Sequence, residues 1–391
     1  MTVAELISQA LIDAGVEVIT YVPGYGGSDI YRALQTKLDR KIFTSFHEEP
    51  AYTICHCAAL LGKRSVSLFK THGIMKAGNA VSDSLYAGTT AGFVTIIPED
   101  TGGTHSDTII ETRPFLDGIG MPWIGAKPDN VYKKVHEAYA RSEKEQLPYA
   151  IVLDVDDIKS EVKAEWISFT DKSQGSAPPA YKRNIQQHVL APLFNPYQRE
   201  VYLAKSSGKN WKNIAVPPIP SIPEATPLHW KKTVESYVPL FRVFKKYRGD
   251  FVSGDTGVSS QFCAEPWHCI DAVTYMGGSI PLAIGAYMAG IKNPWAISGD
   301  FSFISAGPLG LLEAELRSIP LKVIILNNGK AATTGGQVIP DEALETVLGH
   351  FMKYVVRIRN PYDEIEIEKV LKETVSNKGM RIVIPDFRNV S

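Results

Sequence analysis

The sequence predicts an α/β chain of two domains, each a mainly parallel sheet flanked by helices, joined by a long Pro-rich linker. Three observations carry this. Short apolar runs alternate with helical patterns over residues 1–157, and the alternation returns over residues 250–391. Between them, residues 158–249 hold Pro178, Pro179, Pro192, Pro196, Pro217, Pro218, Pro220, Pro223, Pro227 and Pro239. At 391 residues the chain is long enough for two or more separately cored domains.

The chain opens with an amphipathic helix beginning after Thr2. MTVAELISQALIDAG has neither a basic leader nor a small-residue cleavage site, so no signal peptide is expected. Strands are expected at Val16–Val22, Lys41–Phe46, Val66–Lys70, Phe93–Ile97 and Tyr149–Asp154, with helices between them. The stretch 158–249 is too short and too Pro-rich for a third α/β domain, and reads as linker with a few helical pieces. Its basic end, Lys231-Lys232 and Phe244-Lys245-Lys246-Tyr247-Arg248, reads as a solvated helix face, with a phosphate-binding patch as the weaker alternative. In the second domain strands are expected at Asp250–Ser253, Trp295–Ser298, Val323–Leu326, Tyr354–Arg357 and Arg381–Ile384. A net charge of −1 gives no basic excess for a nucleic-acid surface. No apolar run is long enough to span a bilayer. Four cysteines are too few for a disulfide scaffold, which points to the reducing cytoplasm.

Two strand ends carry the chemistry. WAISGD, 295–300, stops its apolar run at Gly299-Asp300, and VIILNNGK, 323–330, stops at two amides. In an open α/β sheet, ligands bind beyond the carboxyl ends of the strands. A carboxylate from Asp300 and an amide oxygen from Asn328 are hard donors that suit Mg²⁺, which shares its shell with phosphate oxygens. Ser302, Ser305, Ala306 and Gly307 follow at the start of a helix, where free N–H groups receive phosphate. The local chemistry therefore proposes a metal-bridged diphosphate. An Asp helix cap and an Asn-Gly turn account for either motif taken alone.

Taken together, Gly299-Asp300 and Asn328, 28 positions on, resemble the metal and diphosphate motif of thiamine-diphosphate enzymes. The resemblance implies metal ligation by Asp300, the Asn328 side chain and the carbonyl of Lys330. Thr333-Thr334-Gly335-Gly336-Gln337 is similar to a run in 2-oxoacid:ferredoxin oxidoreductases and in phosphonopyruvate and sulfopyruvate decarboxylases. Phe301 departs from the pattern, standing where most of the family has a third glycine. TYMGGSIPLAIGA, 274–286, resembles the segment whose Met, here Met276, wedges the cofactor into a V. In SGDTGVSS, 253–260, Gly254, Asp255, Thr256 and Gly257 either face the diphosphate or form a capped turn.

The first domain is expected to supply the acid. SFHEEPAY, 45–52, opens a helix where the family carries a Glu that hydrogen-bonds N1′ of the aminopyrimidine. Glu48 keeps the family's spacing to Ala51 and is assigned that role; Glu49 reads as a charge on the helix start. KTHGIMKAGNAVSDSL, 70–85, and PEDTGGTHSDTIIETR, 98–113, resemble substrate-side loops. His105 falls where both branches carry a His, to bind a carboxylate or shuttle protons; His72 and His47 are secondary. PGYGGSD, 23–29, fails as a dinucleotide motif because its third glycine position is Asp29. Cys55-His56-Cys57 and His268-Cys269 fit no zinc spacing, and residues 55 and 57 share no helix face, so they read as buried thiols.

The resemblance covers most of 1–157, a pyrimidine-binding (PYR-type) domain, and of 250–391, a diphosphate/Mg-binding (PP-type) domain, and leaves 158–249 unmatched. The overall likeness, including VVRIRNPYDEIEIEKVL, 355–371, is to the α-subunit of indolepyruvate:ferredoxin oxidoreductase. The four scattered cysteines cannot build its ferredoxin module. The two-domain layout looks more like the phosphonopyruvate and sulfopyruvate decarboxylases. The implied activity is thiamine-diphosphate- and Mg²⁺-dependent decarboxylation of a 2-oxoacid through a C2 ylide and an enamine. One alternative passes electrons to a separate iron–sulfur subunit; another is a non-catalytic thiamine-diphosphate-binding protein, toward which Phe301 leans. The family arrangement implies a homodimer or dimer of dimers with active sites at the interface. A sulfonate or phosphonate substrate needs a further cation, and Lys70, Lys76 and Arg113 are open candidates.

Overall fold

The computed structural model describes residues 1–162 and 178–388. It divides into two compact units, Met1–Lys182 with Glu200–Asn213, and Arg183–Arg199 with Ile214–Ser391.

The first unit is built on β1 (Val18–Tyr21), β2 (Ser65–Leu68), β3 (Phe93–Glu99), β4 (Trp123–Gly125) and β5 (Tyr149–Asp154), all parallel, in the order β1-β2-β3-β5-β4. β1, β2 and β3 are buried along their whole length, as parallel strands covered on both faces must be. The opening helix, Val3–Asp13, starts with a capping box: Thr2 Oγ1 accepts from Glu5 N at 3.2 Å, and Glu5 Oε2 accepts from Thr2 N at 2.9 Å. Its apolar face joins Leu68, Ile96 and Ile151 in one core.

Residues 41–46, expected as a strand, make only an isolated bridge, Thr44 to Tyr21. Ser45 N donates to the Tyr21 carbonyl at 2.8 Å. Phe46 is 59 % exposed while Ile42 and Ser45 are buried, so the segment has too few inward residues to hold a ladder against β1. It runs instead as an irregular lead into the helix Glu48–Leu60.

The second unit carries β6 (Phe251–Asp255), β7 (Ala272–Thr274), β8 (Pro294–Gly299), β9 (Lys322–Leu326), β10 (Val355–Ile358) and β11 (Arg381–Pro385), parallel in the order β10-β11-β9-β8-β6-β7. The chain leaves β6 toward β7 and returns on the other side as β8. The strand order therefore reverses at β6, opening a crevice beyond the carboxyl ends of β6 and β8. The core beneath is formed by Trp295, Ile297, Ile324 and Leu326 with Phe241, Phe244 and Phe262.

Of the stretch read as linker, residues 163–177 lie outside the described residues. The remainder includes the helices Asn195–Ser206 and Leu228–Phe244. The latter buries Val234, Tyr237, Leu240, Phe241 and Phe244, a helical apolar stripe despite Pro239. All four cysteines are buried and outside any disulfide. Among the described residues no helix is long and apolar enough to cross a membrane.

Candidate active site

In the second unit a cavity of about 290 Å³ lies beyond the carboxyl ends of β6, β8 and β9. It gathers most of the residues singled out in the sequence: Thr256, Met276, Gly299, Asp300, Phe301, Ser302, Asn328 and Lys330. Asp300 is the first residue of the helix Asp300–Leu316, directly after β8. Its Oδ1 accepts from Phe301 N at 2.7 Å and its Oδ2 from Gly329 N at 2.6 Å. The second bond ties the β8 end to the loop after β9. That loop turns at Gly329, φ +70°, and Asn328 Oδ1 accepts from Lys330 N at 3.0 Å. Burial pushes the Asp300 carboxyl up to about 6, against the lowering effect of its backbone donors.

Lys330 pairs with Val338 in an antiparallel bridge whose hydrogen bonds are Ala331 N to Gln337 O and Ile339 N to Gly329 O. In that register the Lys330 carbonyl faces away from Val338. A desolvated carboxylate, an amide oxygen and a carbonyl outside its own ladder make a hard-oxygen set that fits Mg²⁺, since a cation relieves the penalty burial puts on Asp300. Among the described residues no group of three or more His, Cys, Asp or Glu side chains is placed to hold a metal, so any metal here relies on such mixed ligands.

Met276 and Phe301 are 41 % and 44 % exposed, large apolar side chains presented to the cavity rather than to the core. The Phe301 N–H, in the position of the family's third glycine, is taken by Asp300. Met276 is held by Gly277. There φ is +82°, and a Cβ would meet Ala306 Cβ at 2.7 Å and Gly307 N at 2.9 Å. Gly277→Ala is therefore expected to cost about 2–4 kcal/mol of stability, as strain plus overpacking, and to weaken ligand binding in the cavity. Thermal unfolding together with a binding titration checks both.

Gly254 and Asp255 do not line the cavity. A Cβ on Gly254 would lie 3.2 Å from Val273 and 3.3 Å from Ile270, so the glycine serves strand packing. The Asp255 carboxylate is buried. Oδ1 accepts from Ser279 N at 2.8 Å, at the start of the helix Ser279–Met288, and Oδ2 from the Ser298 hydroxyl. The Asp255 side chain therefore neither lines the cavity nor caps its own turn, but ties β6 to the start of a helix 24 positions away.

Burial pushes Asp255 up to about 6, against an ordinary value of 3.8. The folded state thus holds a proton that the unfolded state releases between about pH 4 and pH 6. Stability from this group is greatest below pH 4, falls as pH rises through that window and is flat above it, a span of ~3 kcal/mol. Asp255→Asn keeps an acceptor for Ser279, while its amide can donate to Ser298 Oγ, which already reaches the Gly299 carbonyl at 3.1 Å. The variant is expected to be more stable than the wild type at pH 7 and to lose that advantage toward pH 4. Unfolding curves across this range test it.

The first unit places Glu48 at the first position of its helix, capped by His47, whose Nδ1 accepts from Glu49 N at 3.2 Å. Glu48 lies over Gly73, where a Cβ would sit 2.8 Å from Glu48 Cγ, so glycine leaves the acid its space. Glu48 Oε2 is buried without a hydrogen bond; Lys76 Nζ lies 3.3 Å away, an ion pair lacking hydrogen-bond alignment. Glu49 turns to Asn79 and Asp83, and burial raises its carboxyl. His47 is lowered by burial and by Lys76.

His105 sits in the loop after β3, stacked on Tyr25 with ring centroids 3.5 Å apart. Its Nε2 is 3.6 Å from Asp156 Oδ1, and its carbonyl accepts from Lys70 Nζ at 3.2 Å. His72 pairs with Thr108 at 2.8 Å. Arg113 lies over the Trp123 ring, 3.8 Å from Glu99 Oε2. Of the three cations weighed for an acidic substrate, Lys76 is the one beside Glu48.

Sequence reasoning missed Tyr237, which lines the second unit's cavity from the helix Leu228–Phe244. The stripe Val234, Tyr237, Leu240, Phe241, Phe244 was the available signal.

Residues 254–384 match the family model of the thiamine pyrophosphate enzyme C-terminal TPP binding domain. The chain is 24 % identical over 161 residues to sulfopyruvate decarboxylase subunit alpha of Methanococcus maripaludis, covering 39 % of this chain and 95 % of that protein. It is 27 % identical over 125 residues to indolepyruvate oxidoreductase subunit IorA of Archaeoglobus fulgidus, covering 30 % of this chain and only 20 % of that protein. The thiamine diphosphate-dependent 4-hydroxybenzoylformate decarboxylase of Rhodococcus jostii superposes with a TM-score of 0.69 at 14 % identity, covering 100 % of both chains. Benzoylformate decarboxylase from Polynucleobacter necessarius superposes with a TM-score of 0.66 at 13 % identity, over 100 % of this chain and 99 % of that one. The fold is that of thiamine-diphosphate enzymes, and the chain is related to them in sequence through its second unit.

Proposed function

We propose that this protein is a thiamine-diphosphate- and Mg²⁺-dependent enzyme that decarboxylates a 2-oxoacid. The observation that carries the reading is the junction of Asp300 with the Asn328–Lys330 loop, 2.6 Å from Asp300 Oδ2 to Gly329 N, at the mouth of one cavity in the matched segment. Sulfopyruvate, benzoylformate and indolepyruvate, named for the relatives, are all 2-oxoacids. In this reading residues 1–157 are the pyrimidine-side domain and 250–391 the diphosphate-side domain.

Bound thiamine diphosphate supplies a nucleophilic carbon for the keto group and takes up the electron pair left when CO₂ departs. Asp300, the Asn328 oxygen and the Lys330 carbonyl would hold Mg²⁺, and the Ser302 N–H at the start of the helix Asp300–Leu316 would meet a diphosphate oxygen, the Phe301 N–H being taken by Asp300. Met276 and Phe301 wall the cavity with apolar surface and exclude water. Glu48 exchanges a proton with N1′ of the aminopyrimidine, a task suited to a carboxyl oxygen buried without a hydrogen bond. His105, oriented by Tyr25 and Asp156, moves a proton or receives the substrate carboxylate. Glu48 and Asp300 serve one cofactor from different copies in a homodimer or dimer of dimers. Four buried thiols outside any disulfide suit a reducing, cytoplasmic setting.

The IorA match favours a second reading, in which electrons pass to a separate iron–sulfur subunit. Anaerobic turnover with Mg²⁺-thiamine diphosphate and a 2-oxoacid panel, with and without a viologen dye, separates the two. CO₂ and aldehyde without dye support the decarboxylase; CO₂ only with dye reduction supports the second reading.

A further inference from the structure

Tyr237 is 2 % exposed, yet its ring borders the cavity shared by Thr256, Asp300, Ser302 and Asn328. Packing fixes the ring: it lies against Phe387, centroids 4.6 Å apart, and its helix is part of the second unit's core. The phenol oxygen is 2.7 Å from Asn328 Nδ2. An amide nitrogen only donates, so in this contact the tyrosine accepts and keeps its own proton. Among the described residues no acceptor takes that proton. A buried donor beside a cavity, without an acceptor, calls for one from a ligand.

Resting on the cofactor reading above, we infer that Tyr237 is a further binding residue of this site. Its hydroxyl receives the Asn328 amide N–H, fixing that side chain, and gives its own proton to an anionic oxygen of the diphosphate held there. Tyr237 stands upstream of residues 254–384, the segment matched by the family model, so the C-terminal domain borrows this anchor from the preceding helix. The geometry assigns it two linked contacts: a positioning bond to Asn328 and a charge-assisted donor to the ligand.

The test is calorimetric titration of wild type and Tyr237→Phe with Mg²⁺-thiamine diphosphate and, separately, Mg²⁺-pyrophosphate. Circular dichroism and thermal unfolding first establish that the variant is folded. Losing a hydrogen bond to a charged oxygen predicts about 10-fold or greater weakening for both probes. In turnover the loss should fall on the cofactor KM more than on kcat. Asn328→Ala, alone and combined with Tyr237→Phe, should show non-additive losses, because both act through one bonded pair. Tyr237→Phe binding both probes within twofold of wild type overturns the inference and leaves the cofactor reading standing. Wild type binding Mg²⁺-pyrophosphate through Tyr237 but not thiamine diphosphate overturns the cofactor reading alone. Wild type binding neither overturns both. If Tyr237→Phe does not fold, the comparison moves to Tyr237→His, whose ring can accept from Asn328 or donate to the ligand but not both at once through one atom. Affinity equal to wild type there overturns the inference.

Discussion

Asp300→Ala is expected to abolish Mg²⁺-dependent binding of thiamine diphosphate, raising Kd at least 100-fold and removing turnover with it. The carboxylate is the one anionic group among the three assigned metal ligands. Without it Mg²⁺ meets only an amide oxygen and a carbonyl, too little to offset the dehydration of a small divalent ion. The same change releases Gly329 N, whose 2.6 Å bond to Oδ2 sets the loop that carries Asn328 and Lys330. Two ligands are therefore disturbed along with the one removed. Calorimetry with the metal alone, and then with metal and cofactor, separates these effects. Binding within threefold of wild type would remove Asp300 from the metal site.

Glu48→Gln is expected to behave differently. Turnover should fall by about 10²–10⁴-fold, the usual scale for a group that moves a proton in the reaction. Cofactor affinity should change by less than about 10-fold, since the diphosphate and metal contacts belong to the other unit. The amide fits the same space over Gly73, and its packing there is unchanged. It loses the ion pair with Lys76, whose ammonium is half exposed, so the effect of that loss on stability is small. Steady-state kinetics at saturating cofactor, set beside a binding titration, reads the two quantities apart. Unchanged turnover would move the acid to another residue, with Glu49 next to be tried.

The parts of the site legible in the sequence are those in which function and local pattern coincide. β8 and β9 are short, mainly apolar runs, and a polar ligand follows closely after each, so Asp300 and Asn328 could be placed at strand ends from the sequence. Met276 could be found because TYMGGSIPLAIGA resembles a family segment, and the structure adds that its Gly277 sits at a positive φ against the neighbouring helix. What escaped depended on contacts between distant residues. Asp255 stands beside Thr256 in sequence, yet its carboxylate turns to Ser298, 43 positions on. Tyr237 meets Asn328 across 91 positions, from a helix whose apolar stripe was obscured by surrounding prolines. β4 and β7 have three residues each, too short to display a period. Residues 41–46 show the reverse failure: β-forming composition with too little burial to form a ladder.

The central claim is that the cavity beyond β6, β8 and β9 binds thiamine diphosphate through Mg²⁺. The most direct test is calorimetric titration of the full chain with thiamine diphosphate, with Mg²⁺ and then with EDTA. One cofactor per chain, bound in the low micromolar range with Mg²⁺ and lost with EDTA, is the predicted result. No heat of binding in either condition, or binding indifferent to EDTA, would contradict it.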